Sequence, residues 1–206
     1  MGTRPAGMAG WLWERCCRPA GFAYDPGQPR DKAGRWTRAG AALRAHEERM
    51  RGITTHEELV VVDASGKELL HKKGDPGADR VEITPAESGI IRGGIMLHNH
   101  TRVSSFSPQD VKAACDHWAA EIRLVDAKYR YTFRRPAVIL VFTPGSWGEI
   151  EKAYQRRRRV IARRLEDARR ARLIDVDEQR EREAHQVWER VSEDLGLIYE
   201  RQEFAP

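Results

Sequence analysis

The 206-residue sequence has only three cysteines, and two of them, Cys16 and Cys17, are adjacent. These cysteines cannot form the disulfide framework of a small secreted protein, so we expect a reducing, cytoplasmic environment. The sequence also lacks any apolar run close to the ~18 residues that a membrane-spanning helix requires. At the N-terminus, Trp11, Leu12 and Trp13 do not begin the apolar core of a secretory signal. We therefore expect no association with a membrane.

A strong charge of one sign is missing from the part of the chain in which a core is expected. The formal net charge is +5, but residues 51–150 contain 13 basic and 13 acidic side chains. Residues 1–50 carry a net charge of +4. Further on, residues 151–172 carry +7 and residues 173–206 carry −6, so these charges largely cancel if the two segments pair. Basicity alone does not predict a nucleic-acid-binding protein, and nucleic-acid contact is the less favoured interpretation.

Changes in residue pattern divide the chain into three parts. Residues 1–52 are predicted to be a flexible basic arm with a short helix at residues 41–50, because glycine and proline are scattered through the arm without any period. Residues 53–144 are predicted to form an α/β domain. Residues 145–206 are predicted to form a charged helical hairpin, in which Gly196 caps the C-terminus of the second helix.

The middle part alternates short apolar runs with turn signals and helix starts. This pattern predicts an α/β (α+β) fold with a mixed β-sheet and flanking helices. Helices are predicted to begin after Thr84, which opens a capping box, and after Ser107. A domain of about ninety residues can enclose a single hydrophobic core. Strands are predicted at residues 57–63, 67–71, 80–83, 94–98, 122–125, 129–133 and 137–142.

His98 and His100 are the first residues along the sequence that indicate a metal-binding site. Side chains alternate between the two faces of a strand, so both imidazoles point the same way at the end of the predicted strand. Asp110, in the first turn of the next helix, can provide an oxygen ligand to the same cation. Two nitrogens and one oxygen leave a fourth position for water, which is the ligand pattern of a catalytic zinc site. The alternative is a structural role for Asp110 in the first turn of a helix capped by Ser107.

A hydrolytic zinc site also needs a group that accepts a proton and passes it to the leaving group. Glu57 and Glu58 lie at the start of a predicted strand that can adjoin the metal ligands. They point to opposite faces of that strand, and the pattern does not decide between them. Other residues lack comparable partners and are predicted to be surface or packing residues, namely His56, His71, His117, His185 and, in the core, Cys115.

Taken in order, the early glutamate, the His-x-His and the Ser-x-x-Asp resemble the JAB/MPN (JAMM) metalloprotease superfamily. The sequence is most similar to the RadC-like and phage-associated members, whose motif reads His-Asn-His-Pro followed by Phe-Ser-x-x-Asp. The resemblance covers residues 57–136 and includes Leu-His-Asn-His and Phe-Ser-Pro-Gln-Asp. Thr101 stands where these members usually have proline.

The resemblance implies a zinc metallopeptidase or isopeptidase that acts on a protein or peptide substrate. His98, His100 and Asp110 would be the zinc ligands. Glu57 would be the general base, and Ser107 would donate a hydrogen bond to the developing oxyanion. The alternatives are a metal-dependent nuclease with the same ligands and a non-catalytic JAB-like module that binds capsid components or nucleic acid.

The N-terminal arm suggests the setting in which the protein works. Residues 25–37 are similar to the tails of phage head proteins and their neighbours. We therefore expect a phage or prophage assembly as a partner. The contact would be made through the N-terminal arm or through the C-terminal helical hairpin.

Overall fold

The computed structural model describes residues 40–77, 80–136 and 142–204. Most of the predicted N-terminal arm, residues 1–39, lies outside the described residues, as does nearly all of the strand predicted at residues 137–142. Within the described part of the chain, no helix is both long enough and apolar enough to cross a membrane.

The described residues form one mixed β-sheet with helices on both faces, and this architecture confirms the predicted fold class. The strand order is β2-β1-β3-β4-β5-β6, in which β3 and β4 are parallel and the other neighbours are antiparallel. The strands are β1 (Glu58–Val62), β2 (Glu68–Lys73), β3 (Ile95–Asn99), β4 (Glu121–Val125), β5 (Tyr129–Arg134) and β6 (Ile198–Glu203). The helices are α1 (Gly40–Met50), α2 (Pro85–Ile91), α3 (Pro108–Asp116), α4 (Pro144–Arg170) and α5 (Val176–Leu195).

Each face of the sheet has its own hydrophobic core. On one face, strand residues such as Leu59 and Met96 pack with side chains of α3, α4 and α5, including the fully buried Trp188. On the other face, Val60 packs with Leu43 of α1. Strand side chains alternate between the faces, so the sheet is buried on both sides, and β1 and β3 are buried along their whole length.

The strand predicted at residues 80–83 is not formed, so this prediction is wrong. β2 lies at the edge of the sheet and pairs with β1 alone among the described strands. Val81 and Ile83 pack against the hydrophobic core instead. The Lys72 ammonium donates a hydrogen bond to the carbonyl oxygen of Glu82 at 2.6 Å. Apolar side chains therefore anchor this segment without a ladder of backbone hydrogen bonds.

β6 is the element that the sequence pattern does not predict. It follows Gly196, which caps α5 in the left-handed conformation with φ 62°, as the sequence predicts. β6 then pairs antiparallel with β5. Its sequence, Ile-Tyr-Glu-Arg-Gln-Glu, is mostly polar because β6 is an edge strand with partly exposed side chains. The end of the segment predicted as a hairpin therefore completes the sheet.

The opposite charges of α4 and α5 meet in ion pairs between the helices. Arg156 and Arg157 both contact the carboxylate of Asp194. The next residue of α4, Arg158, pairs with Glu183 at 2.9 Å. The two helices therefore neutralise each other in part, as expected for paired segments of opposite charge.

Candidate metal centre

The candidate metal centre lies where β3 ends and α3 begins. His98 is in β3 and His100 follows directly after it. The backbone N–H of His100 donates to the carbonyl oxygen of Val125 at 2.9 Å, which continues the alignment of β3 with β4. Asp110 lies in the first turn of α3, whose N-cap is Ser107. A buried strand and a capped helix therefore fix the positions of all three candidate ligands.

The three candidate ligands present their donor atoms to one point. The Nε2 atoms of His98 and His100 are 3.3 Å apart. The Oδ2 atom of Asp110 is 3.6 Å from Nε2 of His98 and 3.4 Å from Nε2 of His100. Donor atoms around a tetrahedral ion with bonds of about 2.0–2.2 Å lie about 3.3–3.6 Å apart. The group His98, His100 and Asp110 can therefore hold a metal ion.

Asp110 also takes part in the helix cap, so its two sequence interpretations coexist. Its Oδ2 accepts a hydrogen bond from the backbone N–H of Ser107 at 2.6 Å. In return, Oγ of Ser107 accepts from the backbone N–H of Asp110 at 3.2 Å. This capping box orients the carboxylate before any ion arrives. The cap contributes to the geometry of the candidate site instead of competing with it.

The charge on Asp110 is favoured by its neighbours. Burial by itself would raise the pKa of this carboxyl, but the nearby imidazoles of His98 and His100 outweigh burial. The net effect is a pKa of Asp110 well below its usual value. Asp110 is therefore a carboxylate at neutral pH, which is the form that binds a cation.

Ser104 orients the second imidazole, and the sequence pattern does not single it out. Its Oγ is 2.7 Å from Nδ1 of His100, so Nδ1 can donate to it while Nε2 faces the other ligands. The backbone N–H of Ser104 in turn donates to the buried Asp126 at 3.2 Å. Asp126 also accepts from the backbone N–H of Tyr129 at 2.7 Å, so the β4–β5 turn supports this imidazole.

The structure places Glu57 and Glu58 on opposite faces of the sheet. Glu57 is 8% exposed and lines the pocket beside His98 and Asp110. Glu58 is 1% exposed and faces α1 and β2, where its carboxylate contacts Arg49. Of the two glutamates, Glu57 is therefore the one that lies beside the candidate metal centre.

Asn99 stands between the two histidines and points to the face opposite their imidazoles. It is fully buried, and its side-chain oxygen accepts from the backbone N–H of Glu58 at 2.7 Å. Its amide nitrogen donates to the carbonyl oxygens of Ile53 and His56. The segment that leads to Glu57 is therefore tied to β3. The sequence signal for this role is an asparagine between two histidines at the end of a predicted strand whose other residues are apolar.

The C-terminal helix and strand also hold the loop that leads to Asp110. The indole Nε1 of Trp188 donates to the carbonyl oxygen of Phe106 at 2.7 Å. The hydroxyl groups of Tyr199 and Ser105 are 2.9 Å apart. These contacts join residues more than 80 positions apart, so no local pattern could have indicated them.

A pocket with a volume of about 410 Å³ opens beside the candidate metal centre. The predicted site residues Glu57, His98, Ser107 and Asp110 all line it. Pockets of about 300–1,000 Å³ with a few convergent polar groups are typical ligand sites. The structure thus brings these predicted residues together, with His100 completing the ligand group.

The other five histidines lie away from this centre, and His46 faces Glu68 at 3.7 Å. His56 and His71 contact Glu58. His117 and His185 contact the hydroxyl groups of Ser88 and Tyr199, respectively. Cys115 belongs to the core, as predicted, and burial raises the pKa of its thiol to about 12.

Comparison with known proteins finds no matching family model, curated protein or solved structure. The resemblance to the JAB/MPN superfamily therefore stays a prediction from the motif residues. The phage setting and the cytoplasmic location likewise stay predictions.

Proposed function

We propose that this protein is a zinc-dependent hydrolase of the JAB/MPN type that cleaves a peptide or isopeptide bond. The observation that carries the proposal is the donor triangle of His98, His100 and Asp110, with sides of 3.3–3.6 Å. Glu57 lines the adjoining pocket. Amide hydrolysis needs a polarising cation and a proton acceptor close together, and this arrangement can provide both.

Zinc fits the donor set better than magnesium or calcium. Two imidazole nitrogens and one carboxylate oxygen match the three protein ligands of a catalytic zinc site. Magnesium and calcium are bound mainly by oxygen atoms. When bound, zinc supplies Lewis acidity that makes a carbonyl carbon more electrophilic and a water molecule more acidic.

The residues of the chain would handle the proton and the developing charge. Hydrolysis joins the oxygen of one water molecule to the carbonyl carbon and breaks the carbon–nitrogen bond. Glu57 would accept a proton from the attacking water and deliver it to the departing nitrogen, which leaves as an amine. The Ser107 hydroxyl, which accepts from the N–H of Asp110, would donate its own proton toward the carbonyl oxygen as negative charge develops.

Metal analysis tests the ligand set directly. Protein purified without a chelator should contain close to one zinc ion per chain, and His98→Ala and Asp110→Ala should contain almost none. Asp116→Ala, at the end of α3, and His117→Ala, just after it, are matched controls and should keep the zinc. Circular dichroism should show that all variants are folded. Folded wild-type protein that binds no zinc would contradict the proposal.

The general base is tested separately from the ligands. Glu57→Gln should keep the zinc but should no longer hydrolyse a peptide library. Mass spectrometry of the library measures this hydrolysis. Glu58→Gln, on the opposite face, should retain hydrolysis when compared at an equal folded fraction. Full activity of Glu57→Gln would move the role to another residue. A zinc-loaded protein that cleaves neither peptides nor nucleic acid would instead favour the non-catalytic module.

A further inference from the structure

The pocket beside the candidate metal centre has an apolar wall that hydrolysis itself does not require. Leu59, Met96 and Ile122 belong to the hydrophobic core and reach the pocket from the sheet. An apolar group that displaces water next to such side chains is moved into an apolar environment, which is favourable in free energy. Three further apolar side chains line the pocket, namely Val81, Ile83 and Ala113.

The apolar wall lies one layer below the candidate ligands. Met96 precedes His98 by two residues, so it lies on the same face of β3, about 6.5 Å further along the strand. Ile122 is the register partner of Met96 on β4. On the helix, Ala113 follows Asp110 by three residues, or nearly one turn. A side chain that projects from a substrate held at the ligands can therefore reach this wall.

A further part of the pocket lining comes from the segment that follows β2. Val81 and Ile83 are half-buried and pack against the core from this segment. Arg80 also lines the pocket, and its exposed guanidinium pairs with Glu82 at 3.2 Å. The pocket thus combines an apolar interior with a charged group in contact with solvent.

We propose that this pocket binds an aliphatic side chain of the substrate residue whose amide bond is cleaved. The inference rests on the proposed function and adds a substrate class to it. The preferred residue has an aliphatic side chain, such as that of leucine, isoleucine or methionine, because the lining groups are aliphatic chains and a thioether. Glycine would make no apolar contact with the lining, and a charged side chain would lose its hydration there.

Amino-acid hydroxamates test the pocket without a known substrate. Their hydroxamate group binds zinc, and they differ only in the side chain that they carry. The zinc-loaded full chain is titrated by calorimetry with leucine, glycine and aspartate hydroxamates. Leucine hydroxamate should bind at least about tenfold more tightly than glycine hydroxamate, and aspartate hydroxamate should show no such gain.

Filling the pocket should remove this preference. Ala113→Leu extends a side chain into the pocket from α3, and Val81→Phe does so from the segment that follows β2. In both variants the ratio of the leucine and glycine affinities should fall toward one. Lys112→Leu is the matched control, because it places a leucine on the exposed side of α3, away from the pocket, and should leave the ratio as in the wild type. Zinc content and circular dichroism identify any variant that has not folded.

The outcomes distinguish a failure of the inferred side-chain preference from a failure of the proposed zinc-dependent function. Equal binding of the leucine and glycine hydroxamates, or tighter binding of aspartate hydroxamate, would overturn the inference while the metal centre stands. A leucine preference that persists in both folded filling variants would also overturn it. If none of the hydroxamates binds to the zinc-loaded protein, the proposed function fails, and the inference fails with it.

Discussion

The side-chain oxygen of Asn99 accepts a hydrogen bond from the backbone N–H of Glu58 at 2.7 Å, which joins β3 to the start of β1 behind the candidate metal centre. The flanking histidines turn their imidazoles to the other face. A single tripeptide, His98 to His100, therefore presents two candidate ligands on one side of the sheet and anchors the strand of the candidate base on the other.

Replacement of Asn99 by alanine should destabilise the fold without removing the candidate ligands. The N–H of Glu58 and the carbonyl oxygens of Ile53 and His56 would lose their side-chain partner in a buried place. We expect a loss of about 2–4 kcal/mol in the free energy of unfolding, measured with urea. The folded variant should still bind zinc. Gln202→Ala, an exposed amide on β6, should change stability by less than about 0.5 kcal/mol.

A loss as small as that of Gln202→Ala would show that the buried amide does not hold the two strands together. Asn99→Asp is a stricter test, because a carboxylate can accept from Glu58 but cannot donate to the two carbonyl oxygens. It should be at least as unstable as Asn99→Ala at neutral pH.

Gly74 should be intolerant of a side chain because three backbone segments meet there. An added Cβ would lie 2.8 Å from the carbonyl oxygen of Arg80 and 3.1 Å from that of Glu57. Gly74→Ala should therefore shift the pocket wall or the start of β1 and reduce stability by about 1–3 kcal/mol in urea unfolding. Gly89→Ala in α2 meets no atom within 4 Å and should raise stability by about 0.5–1 kcal/mol. If Gly74→Ala raised stability as Gly89→Ala is expected to do, the close packing around Gly74 would be contradicted.

The sequence predicts the elements whose signals are local. The capping box that begins at Thr84 starts α2, and the Ser107 cap starts α3, as the structure confirms. The spacing of His98 and His100 in a buried strand likewise predicts that their imidazoles meet, and the donor atoms do lie close together. Each of these signals lies within a few residues of the chain and depends on no distant contact.

The features that escape prediction depend on distant contacts. The apolar residues at 80–83 have the composition of a strand, but no described strand other than β1 pairs with β2. β6 is polar and becomes a strand because β5 offers it an edge. Glu57 and Glu58 are equivalent in the sequence, and the position of α1 over one face of the sheet is what distinguishes them.

Trp188 should link the stability of the C-terminal helix to the candidate metal centre. Trp188→Phe keeps an aromatic ring but removes the hydrogen bond to the carbonyl oxygen of Phe106, which lies four residues before Asp110 in the loop that leads into α3. We expect a loss of about 1–3 kcal/mol in stability. We also expect weaker zinc affinity, measured by competition with a chelator. Trp147→Phe, which is half-buried on α4, should leave zinc affinity unchanged. Equal zinc affinities of Trp188→Phe and Trp147→Phe would show that α5 does not affect the candidate metal centre through Trp188.

Acid should destabilise the protein in part through Glu58. Burial of this carboxyl would by itself raise its pKa, but hydrogen bonds from Arg49, His71 and His56 outweigh burial and lower the pKa to about 2. Lys73 adds a further cation at 3.4 Å. In the unfolded chain the carboxyl takes up its proton near the ordinary value of 4.5. The stabilisation is therefore complete above this value and is lost as the pH falls toward 2.

The variant Glu58→Gln should accordingly be less stable than the wild type at pH 7 and approach it at low pH. The free energy of unfolding, measured with urea between pH 7 and pH 2.5, should fall less steeply in the variant, because its amide does not titrate. Other ionised carboxylates contribute to both curves equally, so the difference between the curves reports on Glu58. Glu151→Gln, an exposed position on α4, should follow the wild-type curve. Parallel curves for Glu58→Gln and the wild type would mean that the cations around Glu58 do not stabilise its charge.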